Sequence, residues 1–316
     1  MNIFKIIAFI TLSIMAIACN SKPNDDLAQK NNQTPEVQKP IDYYNIAYEL
    51  EINKVMVKSD SLGEYLIESA YDPELSPNGK FITITRIPHE YSAKSERYIA
   101  LINLETKEEK SFGINNNNYY YAAWSPDNQK IAFNVFINDN WQIGIINSDL
   151  TGYKLFPSPN KESIMTPIFS EDSKYVFASN NESIIKYDVN GNIVETIPIL
   201  ELIGEDYYLS SATRFFFFDN EVNIVFQCGH KSLLEKVQDD DYAETIYMYN
   251  RNTKEISKLL PDDVFSLSIN RAGTNKIVYT CINNENQKHE IYLMDIHSLQ
   301  SKKINEIGYN PSIKYN

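Results

Sequence analysis

Five times along the chain, a polar turn is followed by a lysine or asparagine and then by a short run of alternating apolar residues. The residues directly before the five runs are Lys80, Lys130, Lys174, Asn223 and Lys276. The intervals between them are 50, 44, 49 and 53 residues. A period of this length indicates a repeat architecture in which each copy is one supersecondary unit. The sequence therefore constrains the fold strongly and the function weakly.

Each copy contains more than the turn and the run. The turn reads Ser-Pro-Asn or Ser-Pro-Asp in the first two copies, whereas the fourth copy, residues 219–223, lacks Ser-Pro. A second apolar strand ending in Asn or Asp follows each run, a shorter strand comes next, and another strand precedes each turn. Four strands per copy without a long 3.6-residue period predict an all-β protein built from four-stranded antiparallel propeller blades.

Residues 121–133, YAAWSPDNQKIAF, resemble the strand-turn-strand signature of TolB-like β-propellers, also called WD40-like PD40 repeats. The resemblance covers residues 68–316. It implies a six-bladed propeller, and relatives of this kind serve as interaction platforms at the cell envelope. Residues 20–41 are too short and too polar for the N-terminal domain of TolB proteins, so no role in the Tol system and no partner contact is carried over.

The C-terminal end of the chain supplies one more strand. Residues 309–313, YNPSI, resemble the opening of the third copy at 166–169. An innermost strand cannot stand alone with unpaired edges, so its partners must come from residues 43–67. This pairing predicts a sixth blade closed between the N- and C-terminal segments. Residues 42–316 number 275, and a sixth of that is about 46, which fits the period; five or seven blades are the alternatives.

The N-terminus predicts export. Residues 1–18 have Lys5 as their only charge and an apolar stretch too short to span a membrane, as in a signal peptide. Residues 16–19, AIAC, resemble a bacterial lipobox, which implies lipidation of Cys19; secretion with Cys19 as a bystander is the alternative. Residues 19–41 then form the lipidated cysteine and a flexible tether, because 20–41 contain no aromatic residue. The lack of Asp after Cys19 favours the outer membrane of a Gram-negative bacterium.

The net charge limits the partners. The chain has 29 basic and 42 acidic side chains, and loss of Lys5 with the signal leaves a net charge of −14. Such a field repels nucleic acid and anionic lipid surfaces. We therefore expect a monomer that touches the membrane only through its lipid and binds an envelope protein or a glycan.

The two other cysteines occupy one structural position in successive copies. Cys228 and Cys281 each lie five residues after the residue that precedes the run. Side chains alternate along a strand, so both thiols face the same side as the apolar residues of the run. We predict two buried free thiols, with a disulfide as the alternative.

Candidate chemistry lies on one face of the propeller. This loop face carries the connections from the second to the third strand and from the outer strand to the next blade. His89, His230 and Asp239 fall in its two longest loops and could gather around a metal or form an acid–base pair. Their alternative is solvated loop residues on separate blades. The sequence has no Gly-x-Ser-x-Gly elbow and no glycine-rich phosphate loop, so we predict no catalytic residue, no cofactor and no metal.

Tyr119 and Tyr120 open the strand of the second copy and suit a protein interface or sugar stacking, with blade packing as the alternative. Together with His89, His230 and Asp239 they form the predicted binding face. Asp127, in the turn on the opposite face, is predicted to be structural. We therefore predict a lipid-anchored, non-catalytic protein-interaction or ligand-binding platform. A glycan lyase or hydrolase, or a glycan-binding lipoprotein, is the alternative.

Overall fold

Antiparallel strand pairing repeats six times in the computed structural model, which describes residues 45–87, 96–112, 118–180, 182–234, 244–262, 264–282 and 287–314. All of these residues belong to one compact unit, Asp42–Asn316. Cys19, the signal peptide and the tether lie outside the described residues. No helix within these ranges is long and apolar enough to cross a membrane.

Six sheets form the blades, and within each sheet the strands follow one another from the propeller axis outward. Blade 1 consists of β25 (Tyr309–Ile313), β1 (Asn45–Glu51), β2 (Lys54–Ser59) and β3 (Gly63–Glu68). Blade 2 consists of β4 (Ala70–Leu75), β5 (Phe81–Arg86), β6 (Tyr98–Asn103) and β7 (Glu109–Phe112). Blade 3 consists of β8 (Tyr119–Trp124), β9 (Lys130–Ile137), β10 (Asn140–Asn147) and β11 (Lys154–Leu155).

Blade 4 consists of β12 (Met165–Phe169), β13 (Tyr175–Ser179), β14 (Ser183–Asp188) and β15 (Ile193–Pro198). Blade 5 has two short inner strands, β16 (Tyr207–Tyr208) and β17 (Phe215–Phe218), followed by β18 (Asn223–His230), β19 (Glu244–Asn250) and β20 (Glu255–Lys258). Blade 6 consists of β21 (Ser266–Arg271), β22 (Lys276–Ile282), β23 (His289–Asp295) and β24 (Ser301–Asn305). Two short helices, α1 (Ile199–Ile203) and α2 (Lys231–Leu234), and a 3₁₀ turn at Pro159–Lys161 complete the described elements.

Blade 1 joins the two ends of the propeller, as the sequence predicts. Strand β25 pairs with β1, with Ile313 opposite Ile46 and Ser312 opposite Ala47. The C-terminal strand thus obtains its hydrogen-bonding partner from the N-terminal segment, and this pairing closes the ring. The prediction of six four-stranded blades is confirmed.

The Ser-Pro-Asp turns are structural. In blade 3 the Ser125 hydroxyl donates to Asp127 Oδ1 at 2.6 Å and accepts from the backbone N–H of Lys130 at 2.9 Å. The backbone N–H of Asp127 also donates to Ser173 Oγ in blade 4 at 3.1 Å. The motif therefore closes its own turn and links neighbouring blades, which confirms the predicted role of Asp127.

Apolar layers between the blades hold both cysteines. Cys228 is fully buried in a cluster with residues of blades 4 and 5, and Cys281, 6% exposed, lies between blades 5 and 6. Both are free. Burial raises the pKa of both thiols, that of Cys281 to about 11. The prediction of two buried free thiols is confirmed, and neither is ready to act as a thiolate nucleophile.

Hydrogen bonds from the second strand of one blade hold the innermost strand of the next. The innermost strands bulge near their starts, and residues such as Tyr121 (φ 64°) and Thr166 (φ 59°) take up a left-handed conformation there. Five side chains, which we call the inter-blade latches, bond to backbone near these positions: Glu49 to the Asp72 N–H, Thr85 to the Tyr121 N–H, Asn134 to the Thr166 N–H, Gln227 to the Ser266 carbonyl, and Thr280 to the Gly308 carbonyl.

We expect Asn134→Ala to destabilise the propeller by about 1–3 kcal/mol, because it leaves the buried N–H of Thr166 without its acceptor. Asn134 is fully buried, and its Oδ1 lies 2.9 Å from that nitrogen. Urea unfolding of both proteins measures the difference. Asn252→Ala, at an exposed turn position, is the matched control and should stay within about 0.5 kcal/mol of the wild type. Equal stability of all three proteins would contradict the latch.

Candidate binding site on the propeller axis

The structure separates the two predicted tyrosines. Tyr119 is 1% exposed, and its ring lies 5.8 Å from that of Phe133 in the apolar layer between blades 2 and 3. Tyr119 therefore follows the alternative of blade packing, because alternation along β8 turns successive side chains to opposite sides. Tyr120 is half-buried and packs edge-on against Trp141 at 4.9 Å.

Of the predicted histidine and carboxylate residues, His230 lies among the described residues. His89 and Asp239 lie outside the described residues, so their approach to His230 stays a prediction. His230 ends β18, where its Nδ1 lies 2.8 Å from Ser232 Oγ and its ring 4.7 Å from that of Tyr207. Across the described ranges, no group of three or more His, Cys, Asp or Glu side chains could hold a metal ion.

The polar and charged side chains that the structure brings together lie on the propeller axis. The Arg214 guanidinium stands over the ring of Tyr121, with 3.4 Å between its carbon and the ring centroid. Both residues line a cavity of about 110 Å³, together with Thr213, Ser268 and Asn310. The cavity is lined by innermost strands and by the segment before β17, together with Gln227 and Glu244 from β18 and β19.

An irregularity in blade 5 creates the cavity. Tyr208 pairs with Gly229 and Phe215 pairs with Phe226, so the six residues 209–214 stand opposite only Gln227 and Cys228. This excursion splits the innermost strand of the blade and carries Arg214. Reasoning from the sequence missed Arg214, because the missing Ser-Pro of the fourth copy lies in the turn 219–223, at the other end of β17.

Two carboxyl groups lie on the other side of Arg214. Asn270 Nδ2 donates to Glu74 Oε2 at 2.6 Å, and burial raises the pKa of Glu74 to about 7 although Arg214 opposes the shift. Burial also raises the pKa of Asp72, against a hydrogen bond from Thr85 and the charge of Arg214. The space beside these carboxyl groups is only about 10 Å³, roughly the volume that admits one water.

The charge of Arg214 acts on Asp72 and Glu74, but its Nε makes no hydrogen bond within the described part of the protein. The contact of Arg214 with Tyr121 is a cation–π interaction rather than a hydrogen bond. A guanidinium offers five N–H donors. The axis therefore combines an open polar cavity with an arginine whose buried Nε has no hydrogen-bond acceptor among the described residues.

Next to the cavity, half-buried aromatic residues form a rim. The Arg97 guanidinium stands 4.1 Å from the Tyr120 ring centroid and 5.5 Å from that of Trp141. The rings of Trp141 and Phe136 lie 5.1 Å apart, and those of Tyr120 and Tyr121 lie 6.0 Å apart. Tyr120 and Tyr121 thus connect this aromatic rim to the cavity.

We expect Glu74→Gln to gain stability relative to the wild type as pH rises from about 5 to about 8, by about 2–3 kcal/mol. The folded-state pKa of about 7 lies above the ordinary 4.5. The stabilisation from protonating Glu74 is therefore complete below about pH 4.5 and is lost as pH rises through 7. Denaturant unfolding at both pH values measures the effect. Glu105→Gln, on an exposed turn, is the charge-matched control; a Glu74→Gln difference that is the same at both pH values contradicts the prediction.

Solved structures with a similar fold include TolB proteins. No protein-family model matches the sequence, and no curated protein matches it. Among solved structures, TolB from Acinetobacter baumannii has a TM-score of 0.57 at 16% identity, over 87% of this chain and 68% of that one. A putative TolB from Agrobacterium tumefaciens has a TM-score of 0.54 at 13% identity, over 86% and 93%.

A further similar structure is a nidogen/laminin complex, with a TM-score of 0.58 at 10% identity, over 85% of this chain and 97% of that one. Sequence identities this low show a shared fold alone, because proteins with one propeller scaffold have unrelated functions. The predicted resemblance is confirmed at that level: the chain is a six-bladed β-propeller with a TolB-like fold.

Proposed function

We propose that the protein is a lipid-anchored, non-catalytic binding platform of the cell envelope, whose loop face receives a segment of a partner protein. The observation that carries this proposal is the axial cavity of about 110 Å³ beside Arg214, whose buried Nε has no hydrogen-bond acceptor among the described residues. Small sites of this kind are concave and place a few polar groups on a rigid scaffold.

The aromatic rim supports a protein partner. Aromatic side chains and arginine are enriched among the residues that dominate binding energy at protein interfaces. Tyr120, Trp141 and Phe136 are half-buried, so each is anchored in the fold and still presents part of its ring. The rim and the cavity form one surface through the contact between Tyr120 and Tyr121.

Binding fits the axis better than catalysis, because Glu49 and Glu74 are held by hydrogen bonds within the ring and the space beside Glu74 is only about 10 Å³, too small for a substrate. Glu49 Oε1 accepts from the backbone N–H of Asp72 and from Asn310 Nδ2, both at 2.9 Å. Glu74 accepts from Asn270 Nδ2. A general acid or base must be free to exchange a proton with its substrate.

We expect Tyr120→Ala/Trp141→Ala to lower partner recovery at least about tenfold, since hot-spot truncations cost upwards of about 1.4 kcal/mol. The measurement is affinity capture of the full-length protein from its own envelope after crosslinking, with quantitative mass spectrometry. The control, Asn252→Ala/Lys254→Ala, changes an exposed turn on the opposite face. Thermal melts of all forms verify folding. Equal recovery of every partner with folded rim and control variants would remove the loop face from binding.

The lipid anchor is tested separately. We expect Cys19→Ser to abolish incorporation of labelled palmitate and to release the protein from the membrane fraction, because Cys19 is the only proposed attachment point. Cys228→Ala is the matched control, since this buried residue should leave labelling unchanged. Continued labelling of Cys19→Ser, or membrane retention without it, would contradict the anchor.

A further inference from the structure

The geometry points to a carboxylate-binding site at Arg214, in which the axial cavity takes up the carboxylate of a bound protein segment, at a chain terminus or on an acidic side chain. This inference deepens the proposed function and rests on it for the protein nature of the ligand.

The state of the Arg214 side chain is the first argument. Its Nε is buried and has no hydrogen-bond acceptor among the described residues. The stacking on Tyr121, at 3.4 Å from the ring centroid, holds the guanidinium plane. A carboxylate matches the planar fork of an arginine with two parallel hydrogen bonds. A buried donor left without a partner is costly, so a ligand that supplies two acceptors gains accordingly.

The distribution of space is the second argument. The room beside Asp72 and Glu74 is about 10 Å³, whereas the cavity that Arg214 shares with Ser210 and Thr213 is about 110 Å³. Several waters need a space of this size, and so does a carboxylate with a small side chain. The Ser210 hydroxyl can donate to a further ligand oxygen, whereas the Thr213 hydroxyl already donates to the Gln227 carbonyl at 3.3 Å. The open volume is therefore on the side of the cation.

The surrounding charges select among ligands. A cationic group would be drawn to Asp72 and Glu74, but the space there does not admit it. Arg214 repels the same group from the larger cavity. Glu244, which also lines the cavity, and the two carboxyl groups repel any anion, and they repel a phosphate dianion about twice as strongly as a singly charged carboxylate. A singly charged carboxylate is the anion that this site accepts best.

The test compares two probes that differ only in the carboxylate: N-acetylalanine and its C-terminal amide. Binding to the purified full-length protein is followed by ligand-observed NMR. For a probe of this size we expect a Kd on the order of 1–10 mM for the acid and at least tenfold weaker binding of the amide. Inorganic phosphate should also bind more weakly. The α-amide of N-acetylaspartic acid presents a side-chain carboxylate, and the better of the two acids identifies the source.

Variants locate the site. Arg214→Gln should weaken the acid at least tenfold, and Arg214→Lys should retain part of the binding, since it keeps the charge and loses the fork. Lys154→Gln removes a positive charge from the exposed outer strand of blade 3 and should bind like the wild type. The comparison of acid and amide on the wild type needs no variant, so it tests the site even where Arg214→Gln does not fold.

Four results would each overturn the carboxylate site. On the wild type these are equal binding of acid and amide, tighter binding of phosphate than of the acid, and no binding of the acid. The fourth is unchanged acid binding by folded Arg214→Gln. The outcome is separable from the platform proposal. If the rim-dependent capture of a partner succeeds but the acid and the amide bind equally, this site alone is overturned. Failed capture with acid-selective, Arg214-dependent binding would remove the platform role and leave a carboxylate site.

Discussion

The inter-blade latch is the interaction on which the rest of this structure depends. A bulge near the start of an innermost strand leaves a backbone group unpaired, and a polar side chain from the preceding blade satisfies it, as Asn134 does for Thr166 at 2.9 Å. Buried backbone groups must be paired, so each bulge requires its neighbour. The latches thereby fix the innermost strands around the axis and keep its lining polar.

Blade 5 shows how one departure from this repeat produces a site. Its innermost strand is interrupted by residues 209–214, and the Thr213 hydroxyl bonds to the carbonyl of Gln227 at 3.3 Å within the same blade. Apolar packing compensates on both sides: Phe215 and Phe217 pack toward blade 4, while Phe216 and Phe218 pack toward blade 6. The scaffold can therefore support an irregular segment that carries a cation to the axis.

Arginine side chains lie against aromatic rings along the loop face. The protein carries a net charge of −13. Two arginines, Arg97 and Arg214, nevertheless each stand over a tyrosine ring on this part of the propeller. A cation–π contact holds a guanidinium in place without using its hydrogen-bond donors, although Arg97 Nε also donates to Asn118 Oδ1 at 2.7 Å. Tyr120 and Tyr121 join the two sites into one surface, which an extended segment can follow from the rim into the cavity.

The sequence by itself determined the blade number, the closure of blade 1, the burial of Cys228 and Cys281 and the structural role of Asp127. These properties follow from spacing and from alternation along single strands. Only the tertiary structure decided that Tyr119 is buried while Tyr120 reaches the rim, and that Arg214 lies on the axis. Both depend on how a bulge or an excursion in one blade meets its neighbours, and local sequence patterns do not encode that three-dimensional register.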